Sequence, residues 1–294
     1  KGDRSLKWID YAAPTSIKET VGLLAQRGDK ARLLAGGTDL LVQLRTGRLQ
    51  PDLVVDVKGI PELNEVAYDS HTGLMVGAAV PCYKIYTNQA VASAYPGLID
   101  AVSLIGGIQI QGRASLGGNL CNAAPSGDTI PALIVQEATA IVAGPNGRRS
   151  IPVEDFCAGP GRNVLQDGEI LVALHMPPPK PHFGANFLRF IPRNEMDIAV
   201  VGAGVSLTLD SNLVIKSARV ALGAVAPTPL LVPAAARAIV GTKLNKAALN
   251  ALAEACSAAC NPIDDKRGTI EFRTEVVGVL AQRAAKIAYK RARG

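Results

Sequence analysis

The residues of this chain best suited to chemistry are glycines, with neither a nucleophile nor a paired acid among them. Positions 33–41 read Leu-Leu-Ala-Gly-Gly-Thr-Asp-Leu-Leu. An apolar run ends in Gly36-Gly37, and a hydroxyl (Thr38) and a carboxylate (Asp39) follow. Adjacent glycines let the backbone turn tightly and approach a ligand, so successive N–H groups can converge on an anion such as a phosphate. The stretch is neither G-x-G-x-x-G nor a Walker lysine loop, and taken alone it is better read as a turn between a strand and a helix. A second segment, 105–131, carries six glycines among small polar residues, and its only charges are Arg113 and Asp128. Ordering so much glycine costs chain entropy that burial does not return, and a ligand taking up the N–H groups offsets that cost. Loops of this length without a role are uncommon in compact domains. Two Gly-Gly loops, each with a hydroxyl nearby (Thr38, Ser115), point to a diphosphate held between them.

Several elements must position these loops. An extended segment is expected over 7–11. A helix over 14–28 follows, with Ser16 and Glu19 at capping-box spacing, a stripe of Ile17, Val21, Leu24 and Ala25, and Gly28 past its end. Short buried strands are expected over 31–35 and 52–57, and further strands over 74–79, 138–143 and 169–176. A helix over 90–104 breaks near Pro96, and the glycine-rich segment is expected to be a loop. The four prolines of 177–181 cannot join a helix or a central strand, so the main domain boundary falls there. Beyond it, apolar runs at 185–190, 198–209 and 214–224 precede helices over 246–260 and about 269–293. Strands followed by helices indicate an α+β domain on an antiparallel sheet.

A length of 294 residues suggests about two domains, or one large one with an appendage. With 48% hydrophobic and 19% charged residues the chain has material for a packed core and is not disordered. No apolar run reaches the length of a membrane helix, and the first residues show no secretion signal. The net charge is +6, part of it in the last helix at Arg283, Lys286, Lys290, Arg291 and Arg293. Aromatic residues make up 4% and interleave with no basic stretch, which argues against a nucleic-acid surface. The five cysteines (Cys82, Cys121, Cys157, Cys256, Cys260) form no C-x-x-C, and His71, His175 and His182 lie far from them. They are expected to be reduced packing residues of a cytoplasmic protein with no zinc or iron–sulfur site in this chain.

The two loops together, Ala-Gly-Gly-Thr-Asp-Leu-Leu at 35–41 and Ala-Ser-Leu-Gly-Gly-Asn-Leu-Cys-Asn-Ala-Ala-Pro-Ser-Gly-Asp-Thr-Ile-Pro-Ala-Leu at 114–133, resemble the FAD-binding medium subunit of the molybdenum hydroxylases. That family includes xanthine dehydrogenase and aerobic carbon monoxide dehydrogenase. Residues 153–162, 167–172 and 187–199 continue the resemblance in order. It implies an α+β fold: a two-subdomain FAD-binding domain of the vanillyl-alcohol-oxidase/PCMH type over 1–177 (subdomains about 1–57 and 58–177), then a C-terminal α+β domain over 182–294 with an antiparallel sheet and helices. Leu33, Leu34, Ala35, Gly36, Gly37, Thr38, Asp39 and Leu40 would wrap the FAD diphosphate. Ala114, Ser115, Gly117, Gly118 and Asn119 would hold it from the other side, and Asp128 would accept hydrogen bonds from FAD hydroxyls. Ile105, Ile170 and Leu171 would pack near the rings, and Arg189 stands where many relatives carry a lysine near the flavin. Position 105 lacks the bulky aromatic of some relatives, and Gly159-Pro160-Gly161 occupies a loop that often carries a tyrosine.

The resemblance implies an electron-transfer subunit with no catalytic side chain and no metal of its own. Its partners would be a large subunit with a molybdenum cofactor and a small subunit with two [2Fe–2S] clusters, assembled as a dimer of heterotrimers. Electrons would pass through FAD to NAD⁺, oxygen, a quinone or another carrier. No cysteine-rich insertion separates Asn119 from Asp128, unlike benzoyl-CoA-type reductases of the family. A free-standing flavin dehydrogenase or oxidase of the same fold, or a nucleotide-binding scaffold without redox chemistry, are the alternatives.

Overall fold

The computed structural model describes residues 8–294. A small three-stranded parallel sheet opens the chain, with Leu53–Asp56 between Asp10–Ala12 and Ala31–Leu34. The first strand lies slightly later than expected, and Lys7 falls outside the described residues. Ile17–Arg27 is helical, capped by Ser16, whose Oγ accepts from the Glu19 N–H at 3.2 Å. The reciprocal half of the capping box is displaced by one residue, since the Glu19 carboxylate accepts from Thr15 N–H at 3.1 Å. Gly28 ends the helix at φ 50°, a left-handed value that glycine adopts freely.

The next unit is a five-stranded antiparallel sheet in the order Val66–Asp69, Gly73–Gly77, Ile170–Met176, Thr139–Gly144, Gly147–Pro152. The central strand, Ile-Leu-Val-Ala-Leu-His-Met, is buried along nearly its whole length, as its unbroken apolar run requires. The two outer strands escaped the sequence reading because edge strands tolerate polar residues and show little apolar patterning. The helix expected over 90–104 is two, Gln89–Ala94 and Pro96–Val102, parted at Tyr95 as Pro96 demands.

The segment 105–131 departs from expectation. Instead of a loop it folds into Ile108–Gln111, Leu116–Asn122 and Thr129–Val135. Leu116, Leu120, Ile130 and Leu133 are fully buried, and that burial overrides the low helix propensity of the glycines between them.

Phe183–Phe190, Val201–Leu209, Ile215–Gly223 and Leu230–Leu231 form a four-stranded antiparallel sheet in sequence order. Lys246–Ala258 and Ile270–Arg293 are helical as expected, and Pro233–Ile239 is a further helix. The last helix presents Ala281, Ala284, Ala285, Ala288 and Ala292 to the sheet. These small side chains let backbones meet: a Cβ on Gly184 would lie 2.1 Å from the Ala288 carbonyl oxygen.

One hydrophobic core spans the two amino-terminal sheets and their helices, and a second fills the carboxy-terminal unit. They are tied together by Asp100, whose carboxylate accepts from Asn186 Nδ2 (2.5 Å), Phe187 N (3.3 Å) and both Nη atoms of Arg291 (2.5 and 3.0 Å). Among the described residues no helix is long and apolar enough to cross a membrane.

Candidate cofactor site

The parallel strand Ala31–Leu34 runs straight into Gly36-Gly37, and the short helix Leu40–Arg45 begins immediately afterwards. Gly37 takes φ +77°, and a Cβ there would sit 2.9 Å from Leu34 Cδ1, so both conformation and space require glycine. The N–H groups of Gly36, Gly37, Thr38 and Asp39 find no acceptor among the described residues. Four successive unpartnered donors in one turn form a concavity suited to an anion.

The second loop faces the first. Cys82 N–H donates to the Ala114 carbonyl at 2.8 Å, and Pro81 bridges to Ser115, which lays 113–115 beside the chain leaving Gly73–Gly77. A Cβ on Gly117 would lie 2.4 Å from the Ala78 carbonyl oxygen, and one on Gly36 would lie 2.1 Å from the Arg113 carbonyl oxygen. The glycines were expected to admit the ligand. At Gly36 and Gly117 they first admit the protein, because three backbone segments are stacked with no room for side chains.

Ser115 caps Leu116–Asn122, its Oγ accepting from Gly118 N–H at 3.1 Å, and Asn119 N–H returns to the Ser115 carbonyl. The N–H groups of Gly118 and Asn119 are thus already engaged, which leaves those of Leu116 and Gly117 for a ligand. Thr129 Oγ1 holds Asn119 by donating to its Oδ1 at 2.7 Å.

Between the loops lies a cavity of about 650 Å³, within the usual range of small-molecule sites. Leu33, Ala35, Gly36, Gly37, Thr38, Asp39 and Leu40 line it, as do Ile105, Ala114, Ser115, Gly117, Gly118, Asn119, Ile170 and Leu171. The strand carrying Ile170 and Leu171 has a register shift between Leu171 and Ala173 against its neighbour, a break in the pleat next to the cavity wall. The structure adds lining residues that the sequence reading did not assign, among them Arg32, Gln43, Ala78, Arg162, Asn163 and Leu165. The segment 161–163 could have been found, since it adjoins the matching run 153–162. Arg32 and Gln43 carried no signal beyond flanking the glycines.

Leu34, Asp128 and Arg189 do not line this cavity. Leu34 packs beneath Gly37. Asp128 precedes Thr129–Val135, and its Oδ2 accepts from Arg189 Nη1 at 2.5 Å with both side chains almost fully buried. Asp128 Oδ1 and Arg189 Nε have no partner among the described residues. Burial opposes the charged carboxylate more than Arg189 favours it, so the Asp128 carboxyl is pushed up to about 6. Partial burial also raises the Asp39 carboxyl.

Residues 5–179 match the family described as the FAD binding domain in molybdopterin dehydrogenase, and 186–288 match the CO dehydrogenase flavoprotein C-terminal domain. The chain belongs to this FAD-binding family. It is 32% identical to the carbon monoxide dehydrogenase medium chain of Hydrogenophaga pseudoflava, over 96% of this chain and 98% of that one. It is also 32% identical to the xanthine dehydrogenase FAD-binding subunit of Escherichia coli O157:H7, over 98% of each. In three dimensions it is similar to a chain of the reconstituted CO dehydrogenase from Oligotropha carboxidovorans, with a TM-score of 0.93 and 30% identity, covering 97% of this chain and 99% of that one. The geometry fits the cofactor of such a family member. The unpartnered N–H groups match the anionic diphosphate of FAD, and Ile105, Ile170 and Leu171 supply apolar wall for its rings. The fold expected from the resemblance, an FAD-binding part followed by an α+β part on an antiparallel sheet, is the fold found.

Proposed function

We propose that this chain is the FAD-carrying electron-transfer subunit of a molybdenum hydroxylase. The observation that carries this reading is the row of unpartnered N–H groups at Gly36–Asp39, pressed against the Leu116–Asn122 helix start at one cavity. Bound FAD supplies two-electron redox chemistry and the capacity to pass electrons singly.

The side chains and backbone have three jobs. The N–H groups of Gly36, Gly37, Thr38 and Asp39, with those of Leu116 and Gly117, bind the diphosphate. Leu33, Leu34 and Leu40 brace that loop, and Ser115, Gly118 and Asn119 keep the second loop in place through the cap and the Thr129 hydrogen bond. Ile105, Ile170 and Leu171 exclude water from the rings. Asp128 and Arg189 form a buried ion pair outside the cavity wall, next to the helix that follows the second loop. Burial raises the Asp39 carboxyl above its usual range, in the same turn as the four N–H groups.

The FAD-binding domain runs over 1–177 and the C-terminal domain over 182–294, a division supported by the two separate cores. Relatives matched over nearly their whole length are named as the medium chain or FAD-binding subunit of dehydrogenases, which favours a subunit over a free-standing flavoenzyme or a scaffold. The partners are then a large subunit with a molybdenum cofactor and a small one with two [2Fe–2S] clusters, in a dimer of heterotrimers in the cytoplasm. The test is purification of the native assembly. Bound FAD, molybdenum and iron together support the proposal, whereas a chain that refuses FAD on reconstitution and copurifies with neither metal refutes it.

A further inference from the structure

Among the described residues, those lining the cavity proposed for FAD end at Leu171, so the carboxy-terminal unit contributes none of its wall. That unit nevertheless grips the helix Thr129–Val135 from end to end. Just before the helix, Ala224 N–H donates to the Pro125 carbonyl at 2.7 Å. At its start Asp128 accepts from Arg189. Along its length Pro131 packs so closely on the sheet that a Cβ on Gly204 would lie 2.9 Å from the Pro131 carbonyl oxygen. At its end the Ile134 carbonyl accepts from Arg219 Nε at 3.0 Å, and the Val135 carbonyl accepts from Ser206 Oγ at 2.6 Å. The first residue of this helix, Thr129, holds Asn119 of the second glycine loop. All its residues are buried, so it cannot shift without disturbing its close-packed neighbours.

The grip has a direction. Among the described residues, every hydrogen bond between the chain before the proline run and the chain after it is donated by the carboxy-terminal unit. The acceptors are backbone carbonyls and the carboxylates of Asp100, Asp128 and Glu154, and each carboxylate meets an arginine: Arg291, Arg189 and Arg219 respectively. The FAD-binding side thus presents a negative, accepting face in the same domain as a site for an anion. Without the arginines, three carboxylates would stand uncompensated there, and the last carbonyls of the helix would lose their donors.

We infer that the carboxy-terminal unit raises FAD affinity without lining the cavity, and that Arg219 is a positioning residue for the cofactor. The inference rests on the FAD reading above and deepens it. Arg219 bridges the Glu154 carboxylate and the Ile134 carbonyl. It therefore cancels an acid and also fixes the end of the helix whose start braces Asn119. Geometry and charge act with one sign, since a docked unit favours the diphosphate on both counts. Linkage makes the effect reciprocal, so bound FAD also holds the unit in place.

Two measurements on the full chain test this. The first is hydrogen exchange of the wild type with and without FAD, read by mass spectrometry on peptides from Val201–Leu209 and Ile215–Gly223. These strands lie outside the cavity, yet FAD should slow their exchange. The second is titration of the apo chain with FAD. Arg219→Gln should weaken binding by about 2- to 30-fold, the range for a residue that carries coupling without touching the ligand. It should also lessen the protection that FAD gives to the two strands. Ser206→Ala, which removes only the hydroxyl that holds the Val135 carbonyl, should act in the same direction and serves if Arg219→Gln does not fold. Arg148→Gln is the control, because it breaks an ion pair with Glu62 inside the FAD-binding part. Strands whose exchange ignores FAD in the wild type overturn the inference and leave the FAD reading intact. A folded Arg219→Gln chain with unchanged affinity does the same, as does an equal loss from Arg148→Gln. A wild-type chain that takes up no FAD overturns the FAD reading itself, and the inference with it.

Discussion

Replacing Gly36 by alanine tests the site with the smallest possible change. The added Cβ would lie 2.1 Å from the Arg113 carbonyl oxygen and 2.6 Å from its carbon, where ordinary contact begins at 3.4 Å. Both neighbours are backbone, so no side chain can rotate away and the two loops must part by about 1.3 Å. Overpacking of this kind costs about 1–3 kcal/mol. The larger effect falls on the ligand, because an anion held by N–H groups from both loops cannot follow both when they separate. Loss of one charge-assisted hydrogen bond is worth about 1.5–3 kcal/mol, or about 10- to 150-fold in Kd. The assay is titration of the apo chain with FAD, followed by flavin absorbance and checked by thermal unfolding with and without FAD. Gly22→Ala serves as control, since a Cβ there meets nothing within 4 Å. A folded Gly36→Ala chain that binds FAD as tightly as the wild type would refute the view that apposed loops form the diphosphate site.

Gly22→Ala itself should raise stability by about 0.5–1 kcal/mol, because the residue lies inside Ile17–Arg27 and alanine loses less backbone entropy there; a lower unfolding midpoint in urea would contradict this. Asp128 binds its proton up to about pH 6 in the folded chain but only to about 3.8 when unfolded. The folded state therefore holds the extra proton between these values, and apo-chain stability should fall as pH rises from about 4 to 6 and then level off. Asp128→Asn should remove that slope from a plot of Tm against pH, and an unchanged slope would assign it to another group. Asp100→Ala strands Arg291 and Asn186 at the junction of the two cores and should cost about 2–4 kcal/mol in urea unfolding. A loss under 0.5 kcal/mol, the size expected of a plain surface change, would show that the junction holds without it.

Much of the fold was legible because its signals are local. Ser16 caps its helix, Gly28 ends it, Pro96 splits a helix in two, and the prolines of 177–181 separate the strands Ile170–Met176 and Phe183–Phe190. Each follows from the torsions and hydrogen bonds of a few neighbouring residues. The edge strands Val66–Asp69 and Gly147–Pro152 were hidden, although each pairs with a strand only a few residues away, because they are largely exposed and carry little apolar patterning. The helix Leu116–Asn122 was hidden for a related reason: glycine argues against a helix locally, and burial of Leu116 and Leu120 decides otherwise.

For the site, composition and spacing pointed to paired glycine loops and a diphosphate-sized anion, and the resemblance of those loops pointed to the family to which the chain belongs. The types of residue at 36–39 and 115–119 carry that information wherever they lie. Tertiary structure decided what each glycine is for and which groups stay free. Gly36 and Gly117 clear the way for carbonyls of Arg113 and Ala78, residues far from them in the chain. The Ser115 cap consumes the N–H of Gly118, and the Asp128–Arg189 pair lies outside the cavity wall. Steric exclusion and hydrogen-bond accounting act through space between segments brought together only by folding, so no reading along the chain could assign them.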